Sequence, residues 1–211
     1  MGALARRLWT WARDLVYTRR VFSTTNIVVV ALGALWFAAE VTLSVRRRAD
    51  PARSRAADRS TFWILTAVIL GFSATGLALG VAGVGFVPAF YPELAWTGVS
   101  LTVAGITLRW TAIHTLKQFF TVNVAISSDH RVIQHGVYRL MRHPSYTGGL
   151  LGVLGVGLAF CSWASTVVLF IPMTIALLHR IRVEEAALRE GLGAAYADYC
   201  RRTARLIPWI Y

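Results

Sequence analysis

Polar side chains that could do chemistry gather in two blocks of an otherwise apolar chain of 211 residues. The first block spans residues 123–148, and the second begins at His179 and contains Arg180 and Glu184. A guanidinium can bind a carboxylate through two parallel hydrogen bonds, and a carboxylate can pair with a cationic group. These residue types therefore suit the charged groups of a small ligand.

Each block also has a purely structural interpretation. Pro144 suits the first turn of a helix, which explains the proline but not the neighbouring His143 and Tyr146. Arg180 and Glu184 are four residues apart and share one helix face, so in isolation they would be an ordinary ion pair. The pair follows directly on a long apolar run that predicts a membrane hairpin, however. At the mouth of such a hairpin, paired charges more often line a ligand site.

Metal and dinucleotide sites find little support. His130, His135 and His143 are five and eight residues apart, which matches no common zinc pattern, and no cysteine accompanies them. Gly148 and Gly152 lie in an apolar stretch without a strand–turn–helix context, so they indicate close helix packing. We predict neither a metal site nor a Rossmann domain.

The elements that must position the two blocks are apolar. Of all residues, 56% are hydrophobic and 15% are charged, whereas soluble domains carry about 25% charge. The runs 24–45, 60–81 and 94–113 are each long enough to cross a bilayer as a helix, and the run 147–179, broken near 161–163, is too long for one crossing. The sequence therefore predicts an all-α integral membrane protein with about five transmembrane helices. The last two form a C-terminal hairpin that brings the polar blocks together.

Arginines set the predicted orientation. The chain has 21 arginines and one lysine against 10 acidic residues, and the arginines flank apolar segments, which favours membrane lipids over nucleic acid as their partners. The 46–59 loop carries six arginines and the 83–93 loop none, so we predict a multi-pass membrane protein with both polar blocks on the cytoplasmic face. Residues 1–20 predict an interfacial amphipathic helix. Glu40, inside the first apolar run, is either a functional group or a helix-end residue facing the basic loop.

In the two polar blocks the sequence resembles the isoprenylcysteine carboxyl methyltransferase family. The family pattern His-x-Leu-Val-x-x-Gly-x-Tyr corresponds here to 130–138, with Val132-Ile133 as a conservative departure. Arg-His-Pro-x-Tyr-x-Gly follows at 142–148, Glu-Glu-x-x-Leu at 184–188, and Gly-x-x-Tyr-x-x-Tyr at 193–199. The resemblance covers about residues 115–211.

The resemblance implies an integral membrane methyltransferase that uses S-adenosylmethionine. It implies that the cofactor is bound by Asn123, His130, Arg131, Val132, Ile133, Tyr138, His143, Pro144, Ser145, Tyr146 and Glu184. Arg180 is expected to bind the carboxylate of a lipophilic or lipidated acceptor, which makes Arg180 and Glu184 the expected catalytic residues. A phospholipid amine or a small thiol stays open as acceptor, although either must lose a proton and no base is obvious.

Membrane sterol reductases that use NADPH are a second resemblance, carried by the C-terminal residues 199–211 and the shared Arg-His-Pro-x-Tyr element. Those proteins have an Arg-Asp/Glu-rich motif where this chain has Val183-Glu184-Glu185, so we favour the methyltransferase. A non-enzymatic membrane assembly protein is the third alternative. We predict two regions: an N-terminal interfacial helix with three transmembrane helices over 1–113, and a catalytic, cofactor-binding region with the transmembrane hairpin over 114–211.

Overall fold

The structure is a computed structural model that describes residues 23–46, 56–120 and 131–211. The predicted interfacial helix at 1–20, most of the basic 46–59 loop, Asn123 and His130 lie outside these residues. The described part of the chain is all-α and contains no β-strand, as the sequence predicted. Its five helices are α1 (Thr24–Arg46), α2 (Ala56–Ala82), α3 (Glu93–Leu116), α4 (Pro144–Ala159) and α5 (Trp163–Arg202).

Local chemistry fixes where the last two helices begin. α4 begins at Pro144, whose missing N–H costs nothing in a first helical turn. α5 begins after Ser162, whose hydroxyl accepts a hydrogen bond from the Ser165 N–H at 3.0 Å and so caps the helix. Between them, Cys161 adopts a positive φ of 49° in a short turn. The predicted interruption of the apolar run near 161–163 corresponds to this turn.

Two of the described helices, α1 and α5, are long and apolar enough to cross a membrane. Both expose large apolar side chains, for example Leu35 at 70% and Ile175 at 64%. Water would oppose such exposure, whereas hydrocarbon would not. The count of five crossings and the transmembrane hairpin stay predictions.

Glycines allow α3 and α4 to pack backbone against backbone. A Cβ atom on Gly105 would lie 2.4 Å from the backbone nitrogen of Gly152, and one on Gly98 would lie 2.3 Å from that of Ala159. A Cβ atom on Gly148 would likewise lie 2.6 Å from the backbone nitrogen of Arg109. This confirms the packing interpretation of Gly148 and Gly152, because no larger residue fits at such a separation.

The remaining helices pack around this pair. The Trp36 ring of α1 covers Gly152, and Val29 of α1 joins a buried apolar cluster with Phe160 and with Leu169 of α5. α2 lies against α5, where the Ser165 hydroxyl donates a hydrogen bond to the carbonyl of Gly76 at 2.8 Å. The packing holds the start of α4 and the polar half of α5 on one side of the molecule.

Candidate functional site

Arg180, Tyr146 and Glu184 meet where α5 passes the first turn of α4. The Tyr146 hydroxyl donates a hydrogen bond of 2.6 Å to Oε2 of Glu184. The Arg180 guanidinium hydrogen-bonds to the same hydroxyl and is 3% exposed, while Glu184 is half-buried. Because Arg180 and Glu184 lie one helical turn apart, a single tyrosine on α4 can contact both. The structure thus brings together Arg180 and Glu184, the expected catalytic residues, with Tyr146, one of the expected cofactor-binding residues.

Glu185, the next residue of α5, is 2% exposed and surrounded by cationic groups. Its Oε1 atom accepts hydrogen bonds from Nε of Arg142 at 3.1 Å and Nε of Arg205 at 3.1 Å, and it lies 3.3 Å from Nε2 of His143. Its Oε2 atom accepts from Arg205 at 2.9 Å and from Arg189 at 3.4 Å. A buried carboxylate is tolerated when it is paired in this way. Glu185 therefore ties α5 to the start of α4 and to the C-terminal segment.

The C-terminal segment lies along residues 140–147. The Arg142 N–H donates to the carbonyl of Ala204 at 2.8 Å, and the His143 N–H donates to that of Arg205 at 3.1 Å. The Thr147 hydroxyl donates to the carbonyl of Leu206 at 2.8 Å. Hydrogen bonds to Glu185 and to the Tyr211 hydroxyl raise the pKa of Arg205, against the opposing effect of burial. Arg205 is therefore charged throughout the accessible pH range.

Tyr138, another predicted cofactor residue, is buried and only 6% exposed. Its carbonyl accepts a hydrogen bond of 2.6 Å from the Tyr199 hydroxyl. Burial, together with the negative charge of Glu184, raises the pKa of Tyr138 well above the ordinary value. Its hydroxyl is therefore a neutral group.

The other predicted cofactor residues fall into two sets. Val132 and Ile133 are half-buried, and Arg131 is exposed with its guanidinium 5.9 Å from the centre of the Phe119 ring. His143, Pro144 and Ser145 are buried at the start of α4. The His143 ring stacks on Tyr146 at 5.5 Å, and the Ser145 hydroxyl binds Arg109, so protein groups already engage both side chains.

Arg109 on α3 was not singled out in the sequence, although it connects three helices. Its guanidinium makes a two-fold ion pair with Glu40 of α1, with Nη2 2.6 Å from Oε2, and Nη1 donates to the Ser145 hydroxyl at 2.7 Å. Glu40 also accepts a hydrogen bond from Nε1 of Trp36 at 2.9 Å. Among the described residues, the partners of Glu40 are thus side chains of helices. An arginine inside an apolar run needs an acidic partner. Glu40, an acidic residue inside another apolar run, is the signal in the sequence that could have identified Arg109.

Among the described residues, no group of three or more histidine, cysteine or acidic side chains could hold a metal ion. The potential ligands of this region are instead bonded to arginines, as Glu185 is.

Comparison with known proteins assigns the class. Residues 98–190 match the model of the isoprenylcysteine carboxyl methyltransferase family. A probable protein-S-isoprenylcysteine O-methyltransferase of Oryza sativa subsp. indica is 32% identical over 128 residues, which are 57% of this chain and 67% of the relative. The protein-S-isoprenylcysteine O-methyltransferase of Saccharomyces cerevisiae is 34% identical over 115 residues, which are 54% of this chain and 48% of the relative.

A solved structure agrees with the sequence matches. The structure of a eukaryotic intramembrane Ras methyltransferase, isoprenylcysteine carboxyl methyltransferase, superposes with a TM-score of 0.57 at 27% identity. The match covers 66% of this chain and 51% of that one, so this chain spans about half the length of the solved protein. Fold and sequence thus define an integral membrane methyltransferase, as predicted, and the sterol-reductase alternative is not supported. The chain belongs to the isoprenylcysteine carboxyl methyltransferase family.

Proposed function

We propose that this chain transfers a methyl group from S-adenosylmethionine to the carboxylate of a lipophilic, isoprenylcysteine-like acceptor. The observation that carries the proposal is the meeting of Arg180 and Glu184 at one hydroxyl of Tyr146. A buried guanidinium beside apolar helices suits an acceptor that is apolar except for one carboxylate. The isoprenylcysteine in the names of the related proteins agrees with this chemistry.

The residues of the site fit the cofactor. The half-buried carboxylate of Glu184 can pair with its ammonium group, and the half-buried Val132 and Ile133 offer an apolar contact for its adenine ring. S-adenosylmethionine supplies an activated methyl group on a sulfonium. His143 and Ser145 are bonded to Glu185 and Arg109, so we expect them to hold Tyr146 in place and to act on the cofactor through the backbone.

The chain's own residues then have a simple task. Arg180 holds the acceptor carboxylate by two parallel hydrogen bonds, with the Tyr146 hydroxyl at its side. A carboxylate is already an anion at neutral pH, so no base is required. The rate gain comes from aligning the two reactants and from excluding water. An amine or thiol acceptor would need a base that this arrangement does not offer.

The membrane arrangement belongs to the same proposal. Five crossings, with α4 and α5 as a hairpin, place the polar half of α5 and residues 114–146 on the cytoplasmic face. The cofactor reaches this face from water, contacting Asn123, His130, Arg131 and Tyr138, and the acceptor arrives laterally from the bilayer. Residues 1–113 then support the catalytic region 114–211.

Thermal stabilisation of the detergent-purified chain tests the proposal, because a bound ligand raises the apparent stability of the folded state. We expect S-adenosylhomocysteine at a hundred times its Kd to add about 2.7 kcal/mol of stability, and NADPH to add none. Methyl transfer from labelled S-adenosylmethionine to a prenylcysteine analogue is the matching activity measurement. Stabilisation by NADPH alone would contradict the proposal, and the absence of both responses would favour a non-enzymatic protein.

A further inference from the structure

A cavity of about 450 Å³ lies at the C-terminal end of the described chain. Residues 139–142 form one wall, and residues 200–211 form the others. The cavity contains none of the described residues to which we assign methyl transfer. Its lining includes five arginines, namely Arg139, Arg142, Arg201, Arg202 and Arg205.

The described lining residues do not balance their own charges, because none of them is acidic. Glu185 pairs with Arg142 and Arg205 from the interior, and Asp198 pairs with Arg201 at the surface. These two carboxylates offset two of the five positive charges. The three remaining positive charges repel one another in a partly enclosed space. A bound anion would relieve this repulsion.

Two of the five arginines are available to such an anion. Arg202 is exposed and meets only neutral acceptors, the Gln134 side-chain oxygen and the Asp198 carbonyl, both at 3.4 Å. Arg139 is exposed as well and forms no ion pair with a residue in 23–46, 56–120 or 131–211. A pair of guanidinium groups at the mouth of a cavity suits the oxygens of a phosphate.

Apolar side chains surround the same opening. Trp209 is 92% exposed and Ile210 is 79% exposed, and both line the cavity. Residues 207–211 form a tight turn in which Trp209 has a positive φ of 62°, and this turn presents the indole outward. Tryptophan and arginine side by side are typical of the boundary between headgroups and acyl chains.

We propose that this cavity binds the phosphate headgroup of an anionic phospholipid, with Trp209 and Ile210 inserted at the acyl boundary. The proposal depends on the membrane embedding of the chain and not on methyl transfer. Because the C-terminal segment hydrogen-bonds to residues 140–147, a bound lipid stabilises the turn that carries Tyr146. A membrane rich in anionic lipid would therefore favour an ordered site.

Titration of the purified full chain with short-chain phosphatidylglycerol tests this proposal. We expect the lipid to raise Tm and to slow maleimide labelling of Cys200, which lines the cavity, whereas phosphatidylcholine has neither effect. The variant Arg139→Gln/Arg202→Gln should bind phosphatidylglycerol about thirty-fold more weakly, because each basic residue near anionic lipid contributes about a factor of five. The charge-matched control Arg46→Gln/Arg182→Gln, at exposed positions of α1 and α5 outside the cavity, should bind like wild type.

Four results would overturn the assignment. Equal responses to both lipids, or wild-type binding by Arg139→Gln/Arg202→Gln, would contradict a headgroup site. Protection by glycerol phosphate as strong as that by the lipid, unchanged in Trp209→Ala, would assign the cavity to a free phosphate. Loss of S-adenosylhomocysteine stabilisation in Arg139→Gln/Arg202→Gln would assign it to the methyl-transfer site, whereas its retention together with weakened lipid binding supports our proposal.

Discussion

At the scale of single residues, the two adjacent glutamates of α5 differ in surroundings. Glu184 is half-buried and accepts a hydrogen bond from the Tyr146 hydroxyl. Glu185 is buried among three arginines and a histidine. Neighbouring positions on a helix point about 100° apart, so one glutamate faces the proposed ligand space and the other faces the protein. The first suits ligand binding, and the second suits the positioning of the turn at 142–146.

Substitutions in α5 test these assignments. Arg180→Ala should reduce kcat/KM for a carboxylate acceptor by about two orders of magnitude, because a charge-assisted hydrogen bond contributes about 3 kcal/mol. It should retain stabilisation by S-adenosylhomocysteine, whereas Glu184→Ala should lose both activity and stabilisation. Arg182→Ala, an exposed neighbour, serves as the control and should behave like wild type. Unchanged turnover in Arg180→Ala would remove the carboxylate assignment.

At the scale of helices, the contact between α3 and α4 depends on the absence of side chains. Gly105 and Gly152 meet backbone to backbone, and this approach lets Arg109 reach Ser145. The site is therefore sensitive to helix separation far from its polar groups.

A single methyl group tests that dependence. Gly105→Ala places a Cβ atom 2.4 Å from the backbone nitrogen of Gly152, so the helices must separate and we expect a loss of about 1–3 kcal/mol of stability. Gly149→Ala on the facing helix α4 is the matched control, because nothing lies within 4 Å of its added Cβ atom. Thermal denaturation in detergent should separate the two variants, and equal midpoints would refute the packing interpretation.

The ion pair between α1 and α3 gives a second prediction at this scale. Glu40→Leu or Arg109→Met alone leaves a partly buried charge without its partner, and each should cost about 3–5 kcal/mol. The double variant Glu40→Leu/Arg109→Met should recover most of this loss, because apolar replacement of both partners is often neutral. Additive losses, measured by thermal denaturation, would show that the two side chains act independently.

At the scale of the whole molecule, the open question is how the helices lie across the membrane. We predict that the loop between α2 and α3 is outside and that the C-terminal segment is inside. An impermeant maleimide added to intact cells should label Ala89→Cys, an exposed position of that loop, and should not label Cys200. Cys161 is 1% exposed and provides a low background. Labelling of Cys200 before the cells are permeabilised would contradict the predicted orientation of the chain in the membrane.

Much of the architecture was predictable from the sequence for local reasons. Apolar run length determines which segments become helices, and Pro144 and Ser162 mark the starts of α4 and α5 through first-turn and capping chemistry. The ordered motifs at 130–138, 142–148 and 184–188 predicted the family that the comparisons identify. Arg180, Tyr146 and Glu184 were among the residues named, because their spacing and their motifs were visible in the sequence.

Tertiary structure decided which polar groups face each other. The pairing of Arg109 with Glu40 joins residues 69 positions apart, and Glu185 collects Arg142 and Arg205 from separate segments. Likewise, the cavity of arginines exists only because residues 200–211 fold back along residues 139–142. The type of a charged side chain does not specify its partner, since any arginine can pair with any carboxylate. The sequence by itself determined the helices, the membrane class and the family, whereas only tertiary packing, which brings distant segments side by side, decided which charges meet.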